Sequence, residues 1–366
     1  MALIAGDTAV TEVDVEKWLE DLRDRSRTAA LRFVRDRCAE LFTGRTEGGL
    51  AVTALPSYVA GGKFLRSAFA QVGWCCGRRT DSEAASLAGA SLELLHCFAL
   101  AQDDVMDNSP LRRGTPALHT QFTRWHHQQG WAGSPVRFGE SAAVLSGDLF
   151  LVWSEQLLRE SGLGTDELAR GWPVYDVMRA ELAVGQLGDL VNDARQAPNW
   201  ASVLDVLRRK SGNYTVRRPL EFGAALAGCA PGVLARLGTF GTHIGEAFQF
   251  RDDLLGVYGD PAITGKPVGD DLREHKATSV VVLARELGSP RQRKELAELD
   301  RLDPIGDDAV HRWQTVIEAT GAREHLEGLI TARVTSAHEI LDHMVIPPRP
   351  RRALSLLALR CTARSH

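Results

Sequence analysis

The sequence predicts an all-α fold, a single-domain bundle of about ten or more helices around a deep apolar pocket. Three observations carry that expectation. Helical periodicity recurs along almost all of the 366 residues, while strand signals are scarce. No stretch of disordered composition divides the chain, although its length alone would permit one to three domains. Hydrophobic residues make up 44% and charged residues 25%, the balance of a globular chain with a large core.

Taken in order, residues 13–41 alternate Trp18, Leu22, Leu31 and Phe33 with charges, as an amphipathic helix does. Residues 44–49 read as a turn, and 55–63, with Pro56 and the Gly61-Gly62 pair, as a loop. A helix runs from near Lys63 through Phe69 to Trp74, and 77–81 break it. The next helix starts near Ser82 and leads into the first chemical motif. Residues 119–137 are polar and read mostly as helix end plus loop. Helices are expected over about 141–158, 167–193, 203–226 and 233–258. A Gly/Pro/Asp loop spans 259–271, and helices resume over about 274–287, 307–317 and 323–344. Pro347-Pro348-Arg349-Pro350 interrupts before a last short helix, 353–360.

The chemistry concentrates in residues 91–115, SLELLHCFALAQDDVMDNSPLRRGT. Asp103 and Asp107 are four apart on a helix and share a face, with His96 seven before Asp103 on roughly the same face. Like charges at that spacing repel. The helix leading to them is almost wholly apolar, and carboxylates at the end of a buried helix need a counter-cation. Hard divalent ions such as Mg²⁺ take oxygen ligands, one or two carboxylates plus substrate phosphates. Arg112 and Arg113, just beyond the break at Asn108-Ser109-Pro110, offer planar forks suited to phosphate oxygens. The plainer reading of the stretch is a solvated acidic helix end followed by a basic loop. The arrangement is echoed at Phe248-Gln249-Phe250-Arg251-Asp252-Asp253, with Asp260, Asp270, Asp271, Lys266 and Lys276 beyond it. Two such helices facing each other would make an acidic, metal-filled mouth on an apolar pocket.

Several classes drop out. A net charge of −4 gives no electrostatic case for nucleic acid. The six cysteines include no C-x-x-C pair, and with no secretory signal in view they read as reduced and cytoplasmic. No run of about eighteen apolar residues is seen, so nothing is expected to span a membrane. GDPAITGK at 259–266 resembles a phosphate loop, but five residues separate its glycines and Pro267 follows the lysine, against nucleotide hydrolysis. His126-His127 reads as a solvated loop, Trp125 and Trp131 as packing residues, and Arg349, Arg351 and Arg352 as a solvated tail.

With both aspartate clusters placed, the sequence resembles the trans-prenyl diphosphate synthases (polyprenyl synthetases) from about residue 61 to 276. The family's G-G-K-x-x-R is matched by Gly61, Gly62, Lys63 and Arg66. Its D-D-x-x-D followed by R-R-G is matched by Asp103, Asp104, Asp107, Arg112, Arg113 and Gly114. Gly185-Gln186 with Asp189 resembles G-Q-x-x-D, Lys210-Ser211 resembles K-T, and Phe248, Gln249, Asp252 and Asp253 resemble F-Q-x-x-D-D. His96 falls at a family histidine or glutamine that touches isopentenyl diphosphate.

The resemblance implies the isoprenoid synthase type of fold, a homodimer, and a Mg²⁺-dependent head-to-tail condensation. The partners it implies are isopentenyl diphosphate and the dimethylallyl, geranyl and farnesyl diphosphates. Asp103 and Asp107 would bind two Mg²⁺ ions and Asp252 a third. Arg112, Lys210, Ser211, Gln249, Lys266 and Lys276 would serve the allylic diphosphate and its surroundings. Lys63, Arg66, His96 and Arg113 would hold isopentenyl diphosphate. Asp104, Asp189, Asp253 and Asp271 would orient ligands and bound water. Phe98 and Ala99, five and four residues before the first aspartate, would set the pocket floor. A small residue beside one ring resembles geranylgeranyl (C20) synthases more than farnesyl (C15) ones. One position departs from the pattern: Gly256 stands where the second motif usually has its last aspartate, and Asp260 or Asp271 would have to compensate. The competing readings are a C15 synthase, a class I terpene cyclase, and a catalytically weak partner subunit.

Overall fold

The computed structural model describes residues 11–46, 48–195, 198–261 and 267–363. These are helical almost throughout, as expected. The chain forms two compact units, Met1–Gly171 with Gly223–Gly228 and Pro347–Ala353, and Trp172–Phe222 with Cys229–Ile346 and Leu354–His366.

In the first unit, α1 (Glu12–Phe42) opens with a reciprocal cap between Thr11 and Asp14. It packs on α2 (Gly48–Ala60), α3 (Leu65–Cys76) and α4 (Glu83–Met106). A two-residue ladder pairs β1 (Leu111–Arg112) with β2 (Thr115–Pro116), and α5 (Leu118–Gln128) and α6 (Pro135–Arg159) follow. Leu55, Phe64, Leu94, Phe122, Phe150 and Trp153 lie in one continuous core. Helix α4 is long and apolar enough to cross a membrane by length and composition, which corrects the expectation that no stretch is. In this fold 67% of that window is buried inside the protein.

Helix α7 (Thr165–Ala194), most of it in the second unit, is followed by α8 (Trp200–Val206), a π-helical segment (Leu207–Arg217), α9 (Arg218–Leu226), whose end returns to the first unit, and α10 (Pro231–Tyr258). Then come α11 (Asp270–Arg273), α12 (Ser279–Leu287), α13 (Pro290–Leu299), α14 (Asp307–Thr320), α15 (Ala322–Asp342) and α16 (Pro348–Thr362). Phe250, Leu254, Leu272, Trp313 and Leu326 belong to this unit's core.

The departures from the sequence reading have local causes. The loop at 55–63 is shorter than expected, because α2 runs through Pro56, where Ala54, Leu55, Pro56 and Val59 are all buried. Packing there outweighs the missing N–H. Helix α5 occupies residues read as loop. The helix expected over 203–226 is not one α-helix, since its middle is π-helical. Residues 274–278 are not helical, and α12 begins where another chain segment supplies its cap. Helix α13 was legible but missed: Ser289 and Gln292 cap each other around Pro290. The prolines at 348 and 350 begin α16 instead of interrupting, because the first turn needs no intrahelical N–H partner. Arg349 is no solvated tail residue, since its guanidinium lies 4.3 Å over the Trp18 ring.

Candidate active site

Helix α4 delivers the first cluster. It ends at Asp107, whose N–H bonds the Asp103 carbonyl at 2.8 Å. The chain then reverses through Arg113 and Gly114, both at positive φ (52° and 74°), which turns Arg112 back onto the helix end. Arg112 Nε donates to Asp104 Oδ1 at 2.6 Å, and Nη2 reaches Asp103 Oδ2 at 3.3 Å. Tyr58 on α2 donates its hydroxyl to Asp104 Oδ2 at 2.9 Å. Asp104 is therefore buried and locked, its pKa raised by burial against the pull of Arg112. Burial works against the Arg112 charge, but Asp104 outweighs it and raises that pKa. Asp103 and Asp107 remain partly exposed.

A second group gathers higher on α4. Arg113 packs against Gly61, with Nη1 3.3 Å from where a Cβ would stand. His96 is partly exposed, and its pKa lies well below the ordinary histidine value through burial of its ring and the charges of Arg66, Arg113 and Arg112. It is a neutral imidazole among guanidiniums. Glu93, one turn earlier, was missed by the sequence reading. It is buried and accepts the Ser67 N–H at 2.9 Å. That bond caps α3, whose own N-cap residue Phe64 is left-handed and supplies no side chain. Burial raises the Glu93 pKa, with Arg66 opposing. A lone Glu in SLELLHC, three residues before His96, was the available signal. Lys63 stands exposed in the turn before α3. Phe98 and Ala99 are partly exposed rather than core, and α6 crosses close by at Gly147, a Cβ there falling 3.5 Å from the Phe98 carbonyl.

In the second unit, Lys210 sits on the π-helical segment, a form that recurs at functional sites. Its Nζ bonds Asp189 Oδ2 at 2.5 Å. Gly185 makes the approach feasible, because a Cβ there would fall 2.5 Å from the Lys210 amide nitrogen. The G-Q-x-x-D and K-S motifs thus become one structural feature. Ser211 follows, partly exposed. At the end of α10, Asp253 is buried and its pKa is raised by burial to about 6. Its Oδ2 accepts from Ser279 N (2.9 Å) and Oγ (2.5 Å), and Oδ1 from Gln249 Nε2 (2.7 Å). Asp253 thereby caps α12, and Ser279 joins Tyr58 and Glu93 among residues the sequence reading missed. Asp252, beside it, is exposed. Lys276 pairs with Glu274 at 2.7 Å. Asp260 is exposed, and Asp271 lies against Gly256. Lys266 lies outside the described residues.

The donor set suits Mg²⁺. Among the described residues no three His, Cys, Asp or Glu side chains form a metal cage. The accessible donors are single carboxylates, Asp103, Asp107 and Asp252, whose neighbours Asp104 and Asp253 are committed elsewhere. Such sites leave most coordination positions to water and phosphate oxygens, which is how Mg²⁺ is usually held.

Residues 50–315 match the family model described as polyprenyl synthetase. The chain is 30% identical over 309 residues to a geranylfarnesyl diphosphate synthase from Aeropyrum pernix, covering 83% of this chain and 90% of that one. It is 32% identical over 285 residues to a (2E,6E)-farnesyl diphosphate synthase from Mycobacterium tuberculosis, covering 76% and 73%. A crystal structure of geranylgeranyl pyrophosphate synthase from Corynebacterium glutamicum, complexed with isoprenyl diphosphate and magnesium, superposes with a TM-score of 0.88 at 35% identity. That similarity covers 96% of this chain and all of the other.

Proposed function

The chain belongs to the polyprenyl synthetase family and is a prenyltransferase, and on that premise we propose that it condenses isopentenyl diphosphate head-to-tail with an allylic diphosphate, yielding geranylgeranyl diphosphate (C20). One observation carries the reading: α4 serves two separate groups suited to diphosphate. One is Asp103, ion-paired with Arg112, with Asp107 one turn further on; the other is Arg66 and Arg113 around His96. A terpene cyclase ionises one diphosphate and has no use for the second group.

In this reading Asp103, Asp107 and Asp252 hold Mg²⁺ ions. When bound, the ions supply positive charge to the departing diphosphate. Arg112 is held in advance by Asp104 and, within the second unit, Lys210 by Asp189; each is a cation suited to a diphosphate. Arg66, Arg113, Lys63 and His96 hold isopentenyl diphosphate so that its double bond meets the allylic cation as the carbon–oxygen bond breaks. The proton lost afterwards passes to the departing diphosphate. Water must be excluded from the cation, which a helical interior does.

The same reading takes the chain as one helical synthase domain, cytoplasmic and homodimeric. Val177, Val184 and Val191 are exposed at heptad spacing along α7, an apolar stripe suited to a second copy of this chain. Relatives make C15 and C25 products, so the C20 assignment rests on Ala99 beside Phe98.

Incubation with Mg²⁺, radiolabelled isopentenyl diphosphate and each allylic diphosphate tests the function. A synthase incorporates label, a cyclase releases hydrocarbon, and an inactive subunit does neither. Ala99→Phe is expected to shift the product to C15 by chromatography; an unchanged length distribution would remove the ruler role.

A further inference from the structure

Three arginines of the second unit, outside both aspartate motifs, meet at one cavity. Glycines on α10 make the arrangement possible. A Cβ on Gly245 would fall 2.5 Å from the Gly212 carbonyl oxygen, and one on Gly241 2.6 Å from the Arg217 Cα, so α10 lies directly on the π-helical segment. That contact brings Arg208 to Glu246, where its Nε donates to Oε1 at 2.6 Å. From α15, Arg333 Nε donates to Glu246 Oε2, also at 2.6 Å. Arg217 Nε donates to Glu221 Oε1 at 3.0 Å. These five side chains and His243 line a cavity of about 410 Å³, the size of a small-molecule site.

Depth decides what the cavity offers. The side chains of Glu246 and Glu221 are only 3% and 12% exposed, while those of Arg208, Arg217 and Arg333 are 43%, 32% and 29% exposed. The carboxylates therefore form the floor, already committed to guanidiniums, and the accessible wall is cationic. A guanidinium that spends its Nε keeps two Nη groups in one plane, a fork that matches phosphate oxygens. His243 Nδ1 is buried with no hydrogen-bond partner among the described residues, which adds an unmatched polar atom to the same wall. The cavity is distinct from the aspartate sites. Arg208 is two residues from Lys210, a spacing that puts side chains on different helical faces. Glu246 stands six residues before Asp252, about 9 Å along α10.

We propose that this cavity is a separate binding site for a small molecule carrying a phosphate or diphosphate group, gripped by Arg208, Arg217 and Arg333. The buried carboxylates hold the three guanidiniums apart and in place, so the anion meets a wall arranged in advance. The site needs no reaction at the aspartate motifs and stands whether or not the chain condenses prenyl diphosphates.

The test is calorimetric titration of inorganic phosphate and, separately, of inorganic diphosphate into the protein in EDTA. Anion held elsewhere on the chain is common to the parent and its variants, so the difference between isotherms reports this cavity. Thr239 lines the cavity and is exposed, which makes it a safe place to change charge. Thr239→Glu sets a competing carboxylate beside the guanidiniums and is expected to weaken one binding event about tenfold. Thr239→Lys is expected to strengthen the same event several-fold. Arg208→Gln, which leaves Glu246 paired with Arg333, is expected to weaken it roughly 10–100-fold. Circular dichroism on each variant reports helical content. Binding of both probes marks a single phosphate group as the recognised unit, and binding of diphosphate alone marks the pair. Thr239→Glu and Thr239→Lys isotherms that overlay the parent's, or that shift in the same direction, would overturn the proposal, as would parent affinity in Arg208→Gln.

Discussion

The two acidic sites, compared each within its own unit, solve one problem with different materials. Both present adjacent aspartates at the end of an apolar helix, and in both the first is accessible while the second is buried. At Asp104 the buried carboxylate is held by a guanidinium and a phenol, Arg112 and Tyr58. At Asp253 it is held by neutral donors, the Ser279 amide and hydroxyl and the Gln249 amide. The paired aspartates are therefore a division of labour: one side chain is left accessible, and one ties the helix end to its surroundings. The first site also takes its further carboxylate, Asp107, from its own helix end, whereas in the second that volume belongs to Asp271 from a later segment.

The comparison predicts a ranking of losses. Asp103→Ala and Asp252→Ala should each lower turnover on the order of a thousandfold with helical content unchanged, since on the proposed reading each removes a carboxylate that would hold a Mg²⁺ ion for the leaving diphosphate. Steady-state kinetics with circular dichroism check this, and near-parent turnover in either would break the assumed equivalence of the two sites. Tyr58→Phe should come next. It strips a hydrogen bond from a buried carboxylate, costing about 1–3 kcal/mol of stability by chemical denaturation. It should also lower kcat several-fold, because Arg112 loses the firm seat of its partner. Ser279→Ala should be mildest, about 1 kcal/mol, because Asp253 keeps the Ser279 amide and Gln249. A larger loss in Ser279→Ala than in Tyr58→Phe would reverse the ranking and make the second site the more dependent on its anchor.

Much of this was readable in the chain. Helix positions for α1, α4, α6, α7, α10 and α15 followed from apolar periodicity, which short-range pattern encodes directly. What escaped was whatever depended on a distant partner. Pro56 looked like a helix breaker because burial of its neighbours is invisible locally. Nothing in the sequence near Lys210 announces π-helical geometry. Tyr58 is 46 residues from Asp104, Glu93 is 26 from Ser67, and Ser279 is 26 from Asp253, so no spacing rule could join them.

The sequence by itself determined which side chains are present: two aspartate pairs on helix ends, arginines and lysines near them in the chain, and a small residue before the first pair. Those are properties of residue type and helical period, and they need no partner to be read. Tertiary structure alone decided which aspartate of each pair stays accessible and what fills the volume above Gly256. The reason is electrostatic and steric. A carboxylate's role is set by the donors and the space around it, and here those come from segments far away in the chain.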